Sequence, residues 1–247
     1  MALSDITAVE RLDELRDSHR MLRGLIEQLP ADGPAATSML PGWNRAELVT
    51  HVCRNADALS GLLEAALRNE LVPMYPGGLE GRAADIAAGR DAGVSQLLAD
   101  FDHSASRLEG LWDDLDTDVW ERPVLVRSGQ KPAWVTIRLR WQETEIHACD
   151  LGTGRGLDAV PAALADELAR VAAPSIPERL DLGDRGVEVR HPGLPDGYQL
   201  FGPAEGAVVV DGPPHQILSW LLGRTASELS ATVAGEPADT PVLGPWL

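Results

Sequence analysis

Lysine and cysteine are nearly missing from this chain. Lys131 is the single lysine, and the arginines are so outnumbered by carboxylates that the formal net charge is −17. So acidic a molecule is repelled by phosphate backbones and anionic lipid, which excludes nucleic acid and membrane surfaces as partners. Any anionic small ligand must then be met by a local cluster of arginines. The strong bias to Arg, Ala, Gly, Asp and Pro reads as the mark of a high-GC genome. The two cysteines, Cys53 and Cys149, are too few for a disulfide framework and too widely separated for a Cys-x-x-Cys redox motif, which points to a reducing compartment. No stretch approaches the roughly 18 uninterrupted apolar residues of a membrane span. The start, Met1-Ala2-Leu3-Ser4-Asp5, leads straight into an acidic amphipathic segment without the basic and apolar regions of a secretion signal. The expected location is the cytoplasm.

What is present suffices for a substantial core: 247 residues, 44% of them hydrophobic. Apolar residues three or four apart predict a first helix over 4–29, with Ser4 or Asp5 as N-cap and Pro30 beyond its end. Asn44 with Glu47 three residues on forms a capping-box pattern that predicts a second helix to about Asn69. The proline- and glycine-bearing stretch Val72–Gly78 reads as a loop able to cover a site. A third helix is expected from Arg82 to Leu115, weakened by Gly89 and Gly93. Val124–Val126 is a short extended piece, and a fourth helix runs from Pro132 to about Asp150, stopped by Gly152.

Four helices with short connections predict an antiparallel bundle over 1–152. Beyond it, a helix from Pro161 to about Arg170, strands at 187–190, 198–201, 207–210 and 230–233, and a helix from Pro213 to Gly223 predict a small α+β domain over 153–247. Its sheet is expected to be mostly antiparallel. The fold class is thus α+β.

The chemistry centres on Trp141–Asp150. Glu143 and His147 are four residues apart, one turn above each other on a single helix face, which is metal-ligand spacing. The same spacing also serves an ordinary salt-bridged turn. His51, on the second helix, is the best third ligand, and two imidazoles with one carboxylate would leave a fourth zinc position open. His19 could approach this region but has no evident partner. His103 is placed on a solvent face, and His191 and His215 in surface loops. Cys53 and Cys149 lie two residues from the ligands, about 160° away around a helix, and read as small buried residues. Arg82 and Arg224 are candidates for anion binding; for Arg224, immediately after Gly223, a cation at a helix C-terminus is favourable without any ligand. Arg138 and Arg140 read as surface or ion-pair residues.

Leu40–Val52 followed by Asn55-Ala56, together with Glu143–Gly152, resembles the signatures of the mycothiol-dependent maleylpyruvate isomerases, members of the DinB-like metal-binding bundles. Pro73-Met74-Tyr75 leading to Arg82, the pair Gly223-Arg224 and the terminal Pro245-Trp246-Leu247 resemble that family too. The resemblance implies a DinB-like four-helix bundle holding Zn²⁺, or another divalent metal, on His51, Glu143 and His147. It further implies catalytic or substrate-binding roles for Arg224 and Arg82, thiol contacts at Asn55 and Tyr75, and a C-terminal domain that carries Arg224 to the metal.

The activity so implied is the mycothiol-dependent conversion of maleylpyruvate to fumarylpyruvate. A metal-activated thiolate adds to the cis double bond, the resulting enolate rotates freely, and elimination gives the trans isomer. The partners expected are a dianionic small molecule and a low-molecular-weight thiol, acting on a monomer or small homo-oligomer. The alternatives are a mycothiol S-transferase acting on another electrophile, a non-catalytic zinc-binding regulator, and a metal-free structural bundle.

Overall fold

The computed structural model describes residues 9–247 apart from Leu182, Asp184, Pro245 and Leu247. The first turn expected after Ser4 and two of the three terminal residues singled out above lie outside the described residues. The chain divides into two compact units, Met1–Arg155 and Gly156–Leu247. Each is taken by itself.

In the first unit, α1 (Leu12–Glu27), α2 (Arg45–Leu67), α4 (Val94–Asp114) and α6 (Val135–Asp150) form a four-membered ring in which α1 and α2 each pack on both α4 and α6. The buried face of α1, Leu15, Ser18, His19, Leu22 and Ile26, has the three-and-four spacing of an amphipathic helix. α2 opens on the capping box: Glu47 N–H donates to Asn44 Oδ1 at 2.8 Å and Asn44 N–H to Glu47 Oε2 at 2.9 Å. At its far end Arg122 Nη1 donates to the carbonyls of Ala66 and Leu67, satisfying acceptors that the helix leaves open.

Among the described residues α1 begins at Leu12 after a turn at Glu10-Arg11, later than the helix expected from Ser4, and two further boundaries differ from the sequence expectation. The helix expected from Arg82 to Leu115 is two helices, α3 (Gly78–Ala88) and α4, so that Arg82 lies inside α3 rather than at its start. The break falls at Gly89, where an added Cβ would stand 2.6 Å from Thr50 Cβ on α2. The close approach and the turn that follows need a residue without a side chain. The helix expected from Pro132 begins instead at Val135. Gly129–Pro132 forms β2, paired antiparallel with β1 (Pro123–Val126), because Gly129 at φ +101 turns the chain back on itself. Between α4 and β1 lies the single turn α5 (Thr117–Trp120).

Arg140, expected at the surface or in an ion pair, is completely buried on α6. Its Nε donates to His19 Nε2 on α1 at 2.9 Å, and its Nη1 to Val52 O and Asn55 Oδ1 on α2 at 2.6 and 3.2 Å. His19, expected to lack a partner, passes the contact on through Nδ1 to Glu109 Oε1 on α4 at 2.5 Å. One guanidinium therefore ties all four helices of the ring. Burial, with the Arg140 charge adding to it, lowers the His19 pKa to about 4, so the ring is neutral near pH 7. Accepting on Nε2 then leaves the proton on Nδ1, facing Glu109.

The second unit is a five-stranded sheet of order β4-β3-β5-β6-β7, with strands Val187–Arg190 (β3), Tyr198–Phe201 (β4), Val208–Asp211 (β5), Ser230–Val233 (β6) and Glu236–Ala238 (β7). Every pairing is antiparallel except β3 with β5. α7 (Ala162–Ala172) and α9 (Pro214–Leu221) pack together, and a short α8 (Ile176–Arg179) stands between α7 and the sheet in sequence. β7 and α8 go beyond the expected elements, being too short for a periodic signal. His191 is buried, not on the surface, with Nδ1 accepting from Gly193 N–H at 3.0 Å, and His215 lies on α9 rather than in a loop.

Replacing Arg140 by methionine keeps an apolar stem but strands His19 Nε2, Val52 O and Asn55 Oδ1 without their donor. The expected loss is about 1–3 kcal/mol of stability, read as a lower urea midpoint with an unchanged slope. A variant at least as stable as the parent would mean that these bonds do not offset the burial of the charge.

Candidate metal centre

The candidate ligands are brought together by the way α2 begins and α6 ends. Arg45, in the first turn of α2, donates from Nε to Leu151 O at 2.7 Å and from Nη2 to Gly152 O at 3.0 Å. Met39 N–H, just before α2, donates to Asp150 O at 2.8 Å. These bonds fill carbonyls at the open end of α6. They also set the second turn of α2, with His51, beside the last turn of α6, with His147.

The three expected ligands converge. His51 Nε2 lies 2.9 Å from Glu143 Oε2, His147 Nε2 lies 3.1 Å from the same oxygen, and the two Nε2 atoms are 3.2 Å apart. Two neutral imidazoles and one carboxylate suit zinc, whose tetrahedral bonds of about 2.0–2.1 Å place donors about 3.3 Å apart. The triangle is slightly tighter than that, so a divalent cation fits with small outward shifts. Among the described residues this is the group of three such side chains able to hold a cation.

The surroundings orient the donors. Asp150 Oδ2 is 2.9 Å from His147 Nδ1, the carboxylate partner that fixes a ligating histidine ring. Trp43 covers His51 with ring centroids 5.3 Å apart. The other glutamate of the segment, Glu145, faces away from the cluster and is held by Ser18 and Arg155. Arg82 Nη2 donates to His51 Nδ1 at 3.1 Å. A cation on Nε2 requires the proton on Nδ1, where that N–H now points, so cation binding and this hydrogen bond exclude one another.

Burial opposes charge throughout the cluster, with different outcomes. It would raise the Glu143 carboxyl, but the two histidines outweigh it and hold Glu143 well below its usual value. His51 is lowered by burial, assisted by His147 and Arg82 against the pull of Glu143. His147 is also penalised by burial, yet its hydrogen bonds to Asp150 and Glu143 raise it to about 9. The two thiols are pushed up to about 12, chiefly by burial. Neither is a nucleophile near neutral pH.

The remaining expected site residues are spread more widely. Arg82 stands over the Tyr75 ring, 5.6 Å from its centroid. Its Nε is buried with no hydrogen-bond partner. Asn55 is buried one turn beyond His51, with Oδ1 engaged by Arg140. Arg224 belongs to the second unit, half-buried, where Gly223 at φ +73 ends α9: Gly223 N–H returns to Trp220 O at 2.8 Å and Arg224 N–H to Ser219 O at 2.9 Å. Its Nη1 donates to Leu222 O at 2.6 Å. Asp150, Trp43 and the Arg140–His19–Glu109 chain went unnoticed in the sequence. Only Asp150 carried a usable signal, its position three residues after His147.

Fold and cluster together define a helical bundle with a buried two-histidine, one-glutamate site, followed by an α+β unit. The chain belongs to the mycothiol maleylpyruvate isomerase family: residues 15–152 match the model of that family's N-terminal domain. It is similar, at 26% identity and a TM-score of 0.87 over 100% of both chains, to the crystal structure of the mycothiol-dependent maleylpyruvate isomerase. The same values hold for the structure of a histidine-to-alanine mutant of that enzyme. No curated protein matches the sequence. No helix among the described residues is long and apolar enough to cross a membrane.

Because His147 titrates near 9 while His51 and Glu143 lie below neutrality, one proton must leave when a cation binds at pH 7.5. Calorimetric zinc titrations in buffers of different ionisation enthalpy should show about one proton released, and an affinity that falls as pH drops below 9. Asp150→Asn removes a cause of the elevation and should cut the release; an unchanged release would mean that His147 is not the group that titrates.

Proposed function

We propose that the protein is a cytoplasmic, mycothiol-dependent cis–trans isomerase that converts maleylpyruvate to fumarylpyruvate in the breakdown of aromatic compounds. A bundle domain over 1–152 holds the metal, and a domain over 153–247 contributes Arg224. The observation that carries this reading is the convergence of His51, Glu143 and His147 beside Arg82, a guanidinium with no carboxylate partner among the described residues, in a chain whose own thiols are raised to about 12 by burial. Membership of the family supports the thiol and the substrate class.

When bound, a divalent cation such as zinc keeps a small thiol ionised near neutral pH, and that thiol is the nucleophile that adds to and later leaves the double bond. The chain's own residues do the remainder. His51, Glu143 and His147 present three donors from two helices that cannot easily separate. Asp150 accepts a hydrogen bond from the Nδ1–H of His147 and stops the ring from turning. Arg82, displaced from His51 Nδ1 once that nitrogen carries a proton, is left to hold the negative charge that develops as the double bond is saturated. Arg224 is assigned a second anion-binding role, supported by the resemblance of the Gly223-Arg224 pair. Asn55 and Tyr75 are assigned to the thiol: Asn55 is one turn from His51, and Tyr75 lies under Arg82.

The test is the formation of fumarylpyruvate by zinc-loaded protein with and without purified mycothiol. Turnover should need the thiol. Arg224→Ala should lose about 10²–10³ in kcat while keeping its metal, and His51→Ala should lose both. Thiol-independent turnover, or accumulation of a thiol conjugate in place of the trans acid, would overturn the isomerase reading.

A further inference from the structure

The loop before α3 is tied to the β1–β2 hairpin. Met74 N–H donates to Leu125 O at 3.1 Å, and Pro73 forms a parallel bridge with Leu125. Between this loop, the start of α3 at Gly78-Leu79 and the hairpin from Leu125 to Gly129 lies a cavity of about 350 Å³. That size is within the range of small-molecule sites, about 300–1,000 Å³. The walls are apolar except for Tyr75 and Arg127, and Arg127 is the one charged lining residue.

Arg127 sits in the two-residue turn between β1 and β2, exposed. No carboxylate among the described residues pairs with it, in a chain whose net charge is −17. Tyr75 joins this cavity to the metal cluster: its ring lines the cavity and carries Arg82 above it, and Arg82 reaches His51. Burial and the charge of Glu143 raise the Tyr75 hydroxyl, while Arg82 and Arg127 both oppose the rise. The hydroxyl thus lies within the fields of the ligand carboxylate and of two guanidiniums.

We infer that Arg127 and this cavity receive the far carboxylate and carbon chain of an extended diacid whose near carboxylate is held by Arg82, so that Arg127 sets the chain length accepted. The identity of the diacid as the isomerase substrate rests on the function proposed above. The diacid runs from Arg82, which stands over the Tyr75 ring, across the cavity toward Arg127 in the hairpin turn. A longer carbon chain covers more of the apolar wall before its far carboxylate meets Arg127, so the Arg127 contact is expected of a seven-carbon acid and not of a four-carbon one. The apolar walls at Met74, Leu79 and Leu125 suit the methylene or keto carbons between the two ends and offer little to a polyol.

Calorimetric binding of saturated diacids to the zinc-loaded full chain tests this without thiol or turnover. The parent should bind pimelate, with seven carbons, more tightly than succinate, with four. Arg127→Gln should weaken pimelate about two- to fivefold and leave succinate unchanged. Arg82→Gln should weaken both. Equal pimelate binding by the parent and Arg127→Gln overturns the inference, as does an equal loss for both acids or a parent with no preference. Because Arg127 is exposed in a turn, its variant is expected to fold, which an unchanged melting temperature checks. A chain that isomerises but shows no effect at Arg127 refutes this inference alone. A chain with the chain-length preference but no isomerisation refutes only the isomerase reading.

Discussion

A guanidinium buried at the centre of a helical bundle must be solvated by the protein, and the bundle supplies acceptors to Nε and Nη1 of Arg140 while Nη2 has none among the described residues. Arg140 of α6 finds its acceptors on α1 and α2, and α4 is drawn in through Glu109 behind His19. Because His19 is neutral, these are hydrogen bonds to neutral acceptors rather than a compensating ion pair. The charge is held by geometry, and that geometry constrains the rotation of each helix about its axis. The ligand-bearing faces of α2 and α6 are therefore not free to choose their orientation. Val52, whose carbonyl accepts from Arg140, is the residue after His51, and Arg140 lies one turn before Glu143 on the same helix.

The cluster itself is a small conflict between desolvation and charge. Three titratable groups share a largely buried space. Glu143 keeps its charge because two histidines face it, while His147 keeps its proton because two carboxylates face it. His51, Glu143 and His147 could hold a divalent cation with the same atoms, at the expense of the proton on His147 and the hydrogen bond on His51. Arg82, released from His51, would then be available for an anionic ligand beside the cation. Under the proposed function, metal binding and substrate binding would be coupled through one imidazole tautomer.

Much of this could be read from the sequence because it depends on local spacing. The Glu143/His147 turn, the Asn44 capping box and the strands of the second unit are all patterns within a few residues. His51 was reachable because the helix around it is strongly periodic. What escaped depends on contacts between distant segments. The division of α3 from α4 follows from Gly89 meeting Thr50, which no local pattern records. The fourth helix was expected to start at Pro132, the last residue of β2, because Pro132 suits a first helical turn as well as a strand end. Arg140 and His19 were misjudged for a common reason: a charged or titratable side chain inside a helix is usually at the surface, and its burial is settled by partners on three other helices. His191 was misplaced in the same way, since its neighbouring proline signals a loop but not how deep the loop lies.

His51 and His147 are 96 residues apart in the chain. Whatever cation they share with Glu143 is therefore also a cross-link, closing a loop that takes in most of the bundle. In the unfolded chain the same donors are scattered and the clamp is lost, so occupancy and folding are thermodynamically linked. The fraction of molecules folded would then track the free concentration of the metal, and starvation for the metal would deplete the protein itself along with its chemistry.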